Sequence, residues 1–139
     1  MKPAHVFGPV LLVSLLCAGC GGTASPTTPT PSAATSPTTQ VFASVVTAGG
    51  TATRFFAASQ HGTVTITLES LGQPVAVGLG LGLALLNAGG CYLSTSVDTA
   101  AGSGAQIVTS VDEGNYCVKI YDVGNLTSPA AFSITIVAP

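Results

Sequence analysis

Beyond residue 40 the apolar residues of this 139-residue chain recur with a period of two, and no ten-residue stretch carries a helical stripe. Thr63-Val64-Thr65-Ile66-Thr67-Leu68, Tyr116-Cys117-Val118-Lys119-Ile120-Tyr121 and Phe132-Ser133-Ile134-Thr135-Ile136 each alternate in this way. Successive side chains of an extended chain point to opposite sides, so such alternation sends one row into a core and the other toward water. Val41–Val46, Arg54–Ala58, Val75–Leu86, Cys91–Ser96 and Ala105–Val111 are further strand candidates. Turn signals separate them all: Gly49-Gly50, Gln60-His61-Gly62, Gly72-Gln73-Pro74, Ala88-Gly89-Gly90, Gly102-Ser103-Gly104, Glu113-Gly114-Asn115 and Gly124-Asn125. About eight short strands at this spacing predict an all-β antiparallel sandwich over residues 41–139.

The polar rows of those strands carry little charge. Charged residues are 6% of the chain, so its polar surface has to come from Thr, Ser, Gly, Asn and Gln. After residue 20 the only cations are Arg54 and Lys119, against Glu69, Asp98, Asp112, Glu113 and Asp122, a net charge of −3. Two dispersed cations cannot neutralise a run of phosphates, which excludes nucleic acid as a partner and makes anionic lipid headgroups poor ones.

The first nineteen residues read as an address. Lys2 supplies a positive start, and the apolar run Val6–Leu16 has the length of a signal-peptide core, too short for a comfortable permanent span. Leu16-Cys17-Ala18-Gly19-Cys20 then resembles the lipobox of bacterial lipoproteins, in which a small-residue pair precedes the cysteine that takes the diacylglycerol. Cys17 departs from that pattern, since the position three before the modified cysteine is usually Leu or a similar aliphatic residue. The resemblance implies removal of residues 1–19, acylation of Cys20 and attachment to a bilayer in the bacterial envelope. Gly21 following Cys20, in place of Asp, is similar to lipoproteins sorted to the outer membrane of Gram-negative cells. An ordinary secretory signal cleaved near Ala18-Gly19 is the alternative. Residues 20–40 are rich in Thr, Ser and Pro, with Pro at 26, 29, 31 and 37, and have no apolar periodicity to offset the entropy of ordering. They read as a semi-stiff, disordered tether.

Within the expected domain, Val77-Gly78-Leu79-Gly80-Leu81-Gly82-Leu83 lacks the strand-to-helix context and the Lys-Ser/Thr ending of a phosphate loop. It reads as a strand with Leu on one face and a bare Gly face over which an aromatic ring or another backbone can lie closely. Cys91 and Cys117 form an even pair inside an exported domain, the usual setting of a disulfide. A metal site would need more ligands than these two cysteines and His61 supply.

Gly114-Asn115-Tyr116-Cys117 through Leu126, followed by Phe132–Ile136, resembles the closing hairpin of pre-peptidase C-terminal-like domains, β-sandwich modules of secreted bacterial proteins. In those domains a Gly-x-Tyr opens the penultimate strand and an alternating Thr/Ile strand ends the module. On that resemblance Thr51–Phe56 is an early core strand and Gly62–Leu68 the strand after it. The resemblance covers Val41–Pro139 and implies a jelly-roll-like sandwich with a non-catalytic role in secretion, targeting or surface contact. Here no protease shares the chain, so an accessory role to an enzyme on the same chain does not transfer.

The residues that carry chemistry are few. His61 lies in a turn without a second His beyond the signal, and no nucleophile-elbow motif accompanies it. Asp98, Asp112, Glu113 and Asp122 read as turn formers, with calcium binding as the alternative. Asn125-Leu126-Thr127 matches a glycosylation sequon, in a chain whose lipobox marks a bacterium. Tyr92, Tyr116 and Tyr121 would make a sugar-stacking platform only on a shared face, and alternation puts Tyr116 and Tyr121 on opposite ones. No catalytic residue, metal or cofactor is expected. The expected partners are the bilayer, through acylated Cys20, and an envelope protein or, alternatively, a glycan or cell-wall polymer.

Overall fold

A computed structural model describes residues 35–85 and 87–139; Cys20, the signal and most of the tether lie outside these residues. The described chain forms eight strands: β1 (Thr38–Val46), β2 (Thr51–Ala58), β3 (Gly62–Leu71), β4 (Val77–Leu85), β5 (Gly90–Thr99), β6 (Ile107–Val111), β7 (Gly114–Tyr121) and β8 (Ala130–Ala138). Their pairing is symmetric about the middle of the chain. β1 pairs with β8, β2 with β7, β3 with β6 and β4 with β5, all antiparallel. Rolling this nested ladder brings β8 beside β3 and β7 beside β4. The result is two four-stranded sheets, β1-β8-β3-β6 and β2-β7-β4-β5, which is the strand order of a jelly roll.

The alternating rows supply the core. Val64, Ile66 and Leu68 of β3 and Ile134 and Ile136 of β8 are fully buried, as are Leu79 of β4 and Val118 and Ile120 of β7. Burying each such side chain contributes roughly 1.5–3 kcal/mol, and on β3 and β8 the alternate Thr65, Thr67, Ser133 and Thr135 turn to the outer face. Phe42 and Phe132 close one side with an edge-to-face contact, ring centroids 5.0 Å apart.

Two expectations are corrected. The segments expected to close the domain as a hairpin, β7 and β8, lie in different sheets, so the chain crosses the sandwich between them. Thr51–Phe56, expected as a core strand, belongs to β2 at a sheet edge, where only Phe56 and Ala58 are buried. Strand ends also move. β1 begins at Thr38, because Thr38, Thr39 and Gln40 pair with Ala138, Val137 and Ile136 through backbone that needs no apolar side chain. β6 begins only at Ile107, since Gln106 turns inward and its Oε1 accepts the Leu68 N–H at 2.6 Å.

Candidate functional site

The two ends of the sandwich are built differently, and each collects residues singled out in the sequence. At one end the chain enters at Thr35, whose carbonyl accepts a hydrogen bond from Gln60 Nε2, and it finishes at Pro139, whose carbonyl accepts from the Ser59 N–H and Oγ. The β2–β3 and β6–β7 turns meet here through His61 Nδ1 and Asp112 Oδ1, 2.9 Å apart and both well exposed. This partnership spans 51 residues of chain and gives His61 a partner that sequence reading did not find. Beside it, edge strands β5 and β6 flank a cleft of about 340 Å³. Ser94, Thr95, Thr109, Ser110 and Tyr116 line the cleft with hydroxyls. Tyr116 donates to the Asp112 carbonyl and Ser94 to that of Leu81, so part of the lining is already held in place. No hydrogen bond joins His61 to a serine or threonine hydroxyl among the described residues.

At the same end β5 and β7 carry the cysteine pair, with β4 between them. β7 pairs with β4 only as far as Leu83; beyond it β4 and β5 pair with each other alone. The sulfurs of Cys91 on β5 and Cys117 on β7 stand 2.09 Å apart, at disulfide distance, although β4 lies between their strands in the sheet. Their Cα atoms are 5.8 Å apart, whereas strands two places apart in a sheet are ordinarily separated by about 9–10 Å. Two features let β5 bend over β4. The register shifts between Leu81 and Gly82, where Ser94 is the extra residue on β5, and such a bulge bends its strand. Gly82 has no side chain in the way: a Cβ there would strike the Tyr92 carbonyl and come within 2.7 Å of Leu93 Cα.

The Gly face expected of β4 is thus present and occupied. The Tyr121 ring fills the space a Cβ on Gly78 would take, and the Leu93 methyls lie over Gly80. On the opposite face Leu79 and Leu81 are buried, but Leu83 is half exposed. The three tyrosines do not share a platform. Tyr121 lies over the Gly face, Tyr116 stacks on core residue Phe56 at 5.9 Å, and Tyr92 is 66% exposed opposite Leu83.

Asp122 organises the other end. Its Oδ1 accepts the backbone N–H groups of Gly124, Asn125 and Leu126, and its Oδ2 accepts that of Gly49, all at 2.8–3.0 Å. These donors, with Gly49 the strongest, hold its carboxyl below the ordinary aspartate value. The group clamps the β7–β8 connection to the β1–β2 turn. Asp98, Asp112 and Glu113 are exposed, and no three His, Cys, Asp or Glu side chains converge on a metal position among the described residues. The Asn125 side-chain amide donates to the Ala76 carbonyl. Compared with protein-family models and with curated proteins, the chain matches none.

Proposed function

We propose that this chain is a lipid-anchored protein of the bacterial envelope whose β-sandwich is a non-catalytic interaction module of the pre-peptidase C-terminal-like kind. The observation that carries the reading is the Cys91–Cys117 pair at disulfide distance inside a sandwich that follows an export signal. Such bonds persist in oxidising compartments outside the cytosol. The jelly-roll strand order agrees with the sandwich that the resemblance implies, although β7 and β8 do not form its closing hairpin. Cys17 leaves with the signal and Cys91 and Cys117 have each other, so Cys20 is the cysteine left for acylation. One acyl chain holds a protein only marginally, and lipoprotein processing supplies two or three. Metabolic labelling with a fatty acid tests the anchor: label should enter the wild type and vanish in Cys20→Ser. Label retained in that variant would remove the reading. Cross-linking in intact cells then identifies the module's partner.

The hydroxyl-lined cleft favours a second reading, a carbohydrate- or cell-wall-polymer-binding module. Polymer pull-down that is lost in Thr109→Val/Ser110→Val but kept in Tyr121→Ala places the contact in the cleft. Wild-type binding no better than background removes it.

A further inference from the structure

The β4–β5 hairpin ends in an apolar prong that the core does not explain. Leu83 and Tyr92 are direct cross-strand partners, and Leu85 follows two residues after Leu83, so the three share one face. They are 50%, 66% and 46% exposed. Ala84 and Cys91, the pair on the other face, sit where the Cys91–Cys117 link ties β5 to β7. The hairpin is therefore tied to β7 below its tip, while about half or more of this apolar face stays exposed. No charged residue lies between Glu69 and Asp98, so the hairpin is neutral from Val77 through Val97 and its one charge, Asp98, sits far from the tip. An apolar patch of this kind, rimmed by polar groups, marks a contact surface.

What it meets is indicated by where the rest of the chain joins. Residues 1–34 lead into the domain at Thr35, which is held to Gln60 at the same end as the prong. From Cys20 to Thr35 the tether reaches roughly 45 Å when extended, at about 3 Å per residue. A bilayer holding Cys20 is consequently a surface that this end of the sandwich meets repeatedly, at the high effective concentration of an intramolecular partner. Leucines with a tyrosine beside them suit the boundary between headgroups and acyl chains, where Tyr is enriched. The five carboxylates and two cations after residue 20 argue against anionic headgroups. Asp112 and Glu113, exposed at this same end, argue further for a neutral or zwitterionic surface.

We infer that the β4–β5 tip, through Leu83, Leu85 and Tyr92, docks into the headgroup boundary of the bilayer to which the chain is tethered. The inference rests on the lipid-anchor reading proposed above. It makes the tip a second, weak membrane contact beside the acyl chains and sets the sandwich on the bilayer by this end. The cleft between β5 and β6 then lies near the membrane, and the Asp122 end faces away.

The chain contains no Trp, so a single introduced Trp reports its own surroundings. The acylated full-length protein is reconstituted into phosphatidylcholine vesicles with brominated acyl chains, carrying either Tyr92→Trp or Val45→Trp. Val45 is 51% exposed near the β1–β2 turn, at the opposite end. The expected result is blue-shifted, bromine-quenched emission for Trp at 92 and neither effect at 45. Adding Leu83→Ser/Leu85→Ser should abolish both changes at 92, with the Cys91–Cys117 link and circular dichroism showing that the fold persists. Fatty-acid label on Cys20 with equal, unquenched emission at the two positions overturns the docking and leaves the anchor standing. Absence of the label overturns both. Quenching that appears only when phosphatidylglycerol is added, or a Leu83-dependent dimer in sedimentation, also overturns it by assigning the tip to a charged surface or a second copy.

Discussion

Gly82 and Asp122 show how much a single position fixes in this fold. At Gly80 a new Cβ would meet the ends of the Leu93 side chain at 2.8 Å, which can turn aside. At Gly82 it would meet the backbone of Tyr92 and Leu93, which cannot move without lifting β5. Gly82→Val should therefore leave Cys91 and Cys117 alkylatable in the folded protein produced under oxidising conditions, whereas Gly80→Ala should keep them joined; mass spectrometry after thiol labelling reads both. Asp122 acts through charge. Its folded pKa lies below the unfolded one, so its stabilisation is complete above the unfolded value and disappears as pH falls through the folded value. Melting curves should show a loss of stability below about pH 4 that is shallower in Asp122→Ala, which has no carboxylate to protonate. Neither role is legible in the sequence. Gly82 is one of three alternating glycines, and Asp122 resembles any turn aspartate until Gly49, far away in the chain, is seen donating to it.

The strands were the legible level, because alternation and turn residues are local and burial rewards them directly. Each of the eight candidate segments is a strand in the structure. What alternation cannot show is which strands lie side by side or where one sheet outruns the other. Leu83 continues the row of Leu79 and Leu81, yet it is half exposed at the end of the pairing between β4 and β7. The His61–Asp112 partnership and the cleft beside it depend equally on which turns meet at one end. The cysteine pair lies between these levels, since two cysteines in one domain suggest their own pairing but not its path over β4. Closing a loop of sequence separation 26 should stabilise the domain by about 3.5 kcal/mol on the chain-entropy estimate. Cys91→Ala/Cys117→Ala should lower the denaturant midpoint accordingly, with the m-value rising only if the unfolded chain expands. Equal midpoints for the two proteins would mean that the cross-link constrains nothing.

The eight strands of the described domain form a ladder whose rungs lengthen outward, and that order has a kinetic consequence. At the inner rung Leu85 pairs with Gly90, while at the outermost Val46 pairs with Ala130. On loop-closure entropy alone the outer pairing costs roughly 2.5 kcal/mol more than the inner one. A chain dominated by such distant pairings should fold in the millisecond-to-second range of all-β sandwiches. The β4–β5 hairpin, held from the inside, is the natural place for structure to begin, and β1 should join last. β1 lies at a sheet edge and contributes Phe42, packed edge-on against Phe132. Phe42→Ala removes a buried ring at a cost of about 3 kcal/mol. If β1 docks after the transition state, nearly all of that loss should appear as faster unfolding, giving a φ-value near zero in a chevron measured with the cysteine pair oxidised. Leu79→Ala, on the central strand β4 opposite Ile120 of β7, should instead slow folding substantially. A φ-value for Phe42 equal to or above that for Leu79 would reverse the order, placing the longest pairing of the jelly roll at its nucleus.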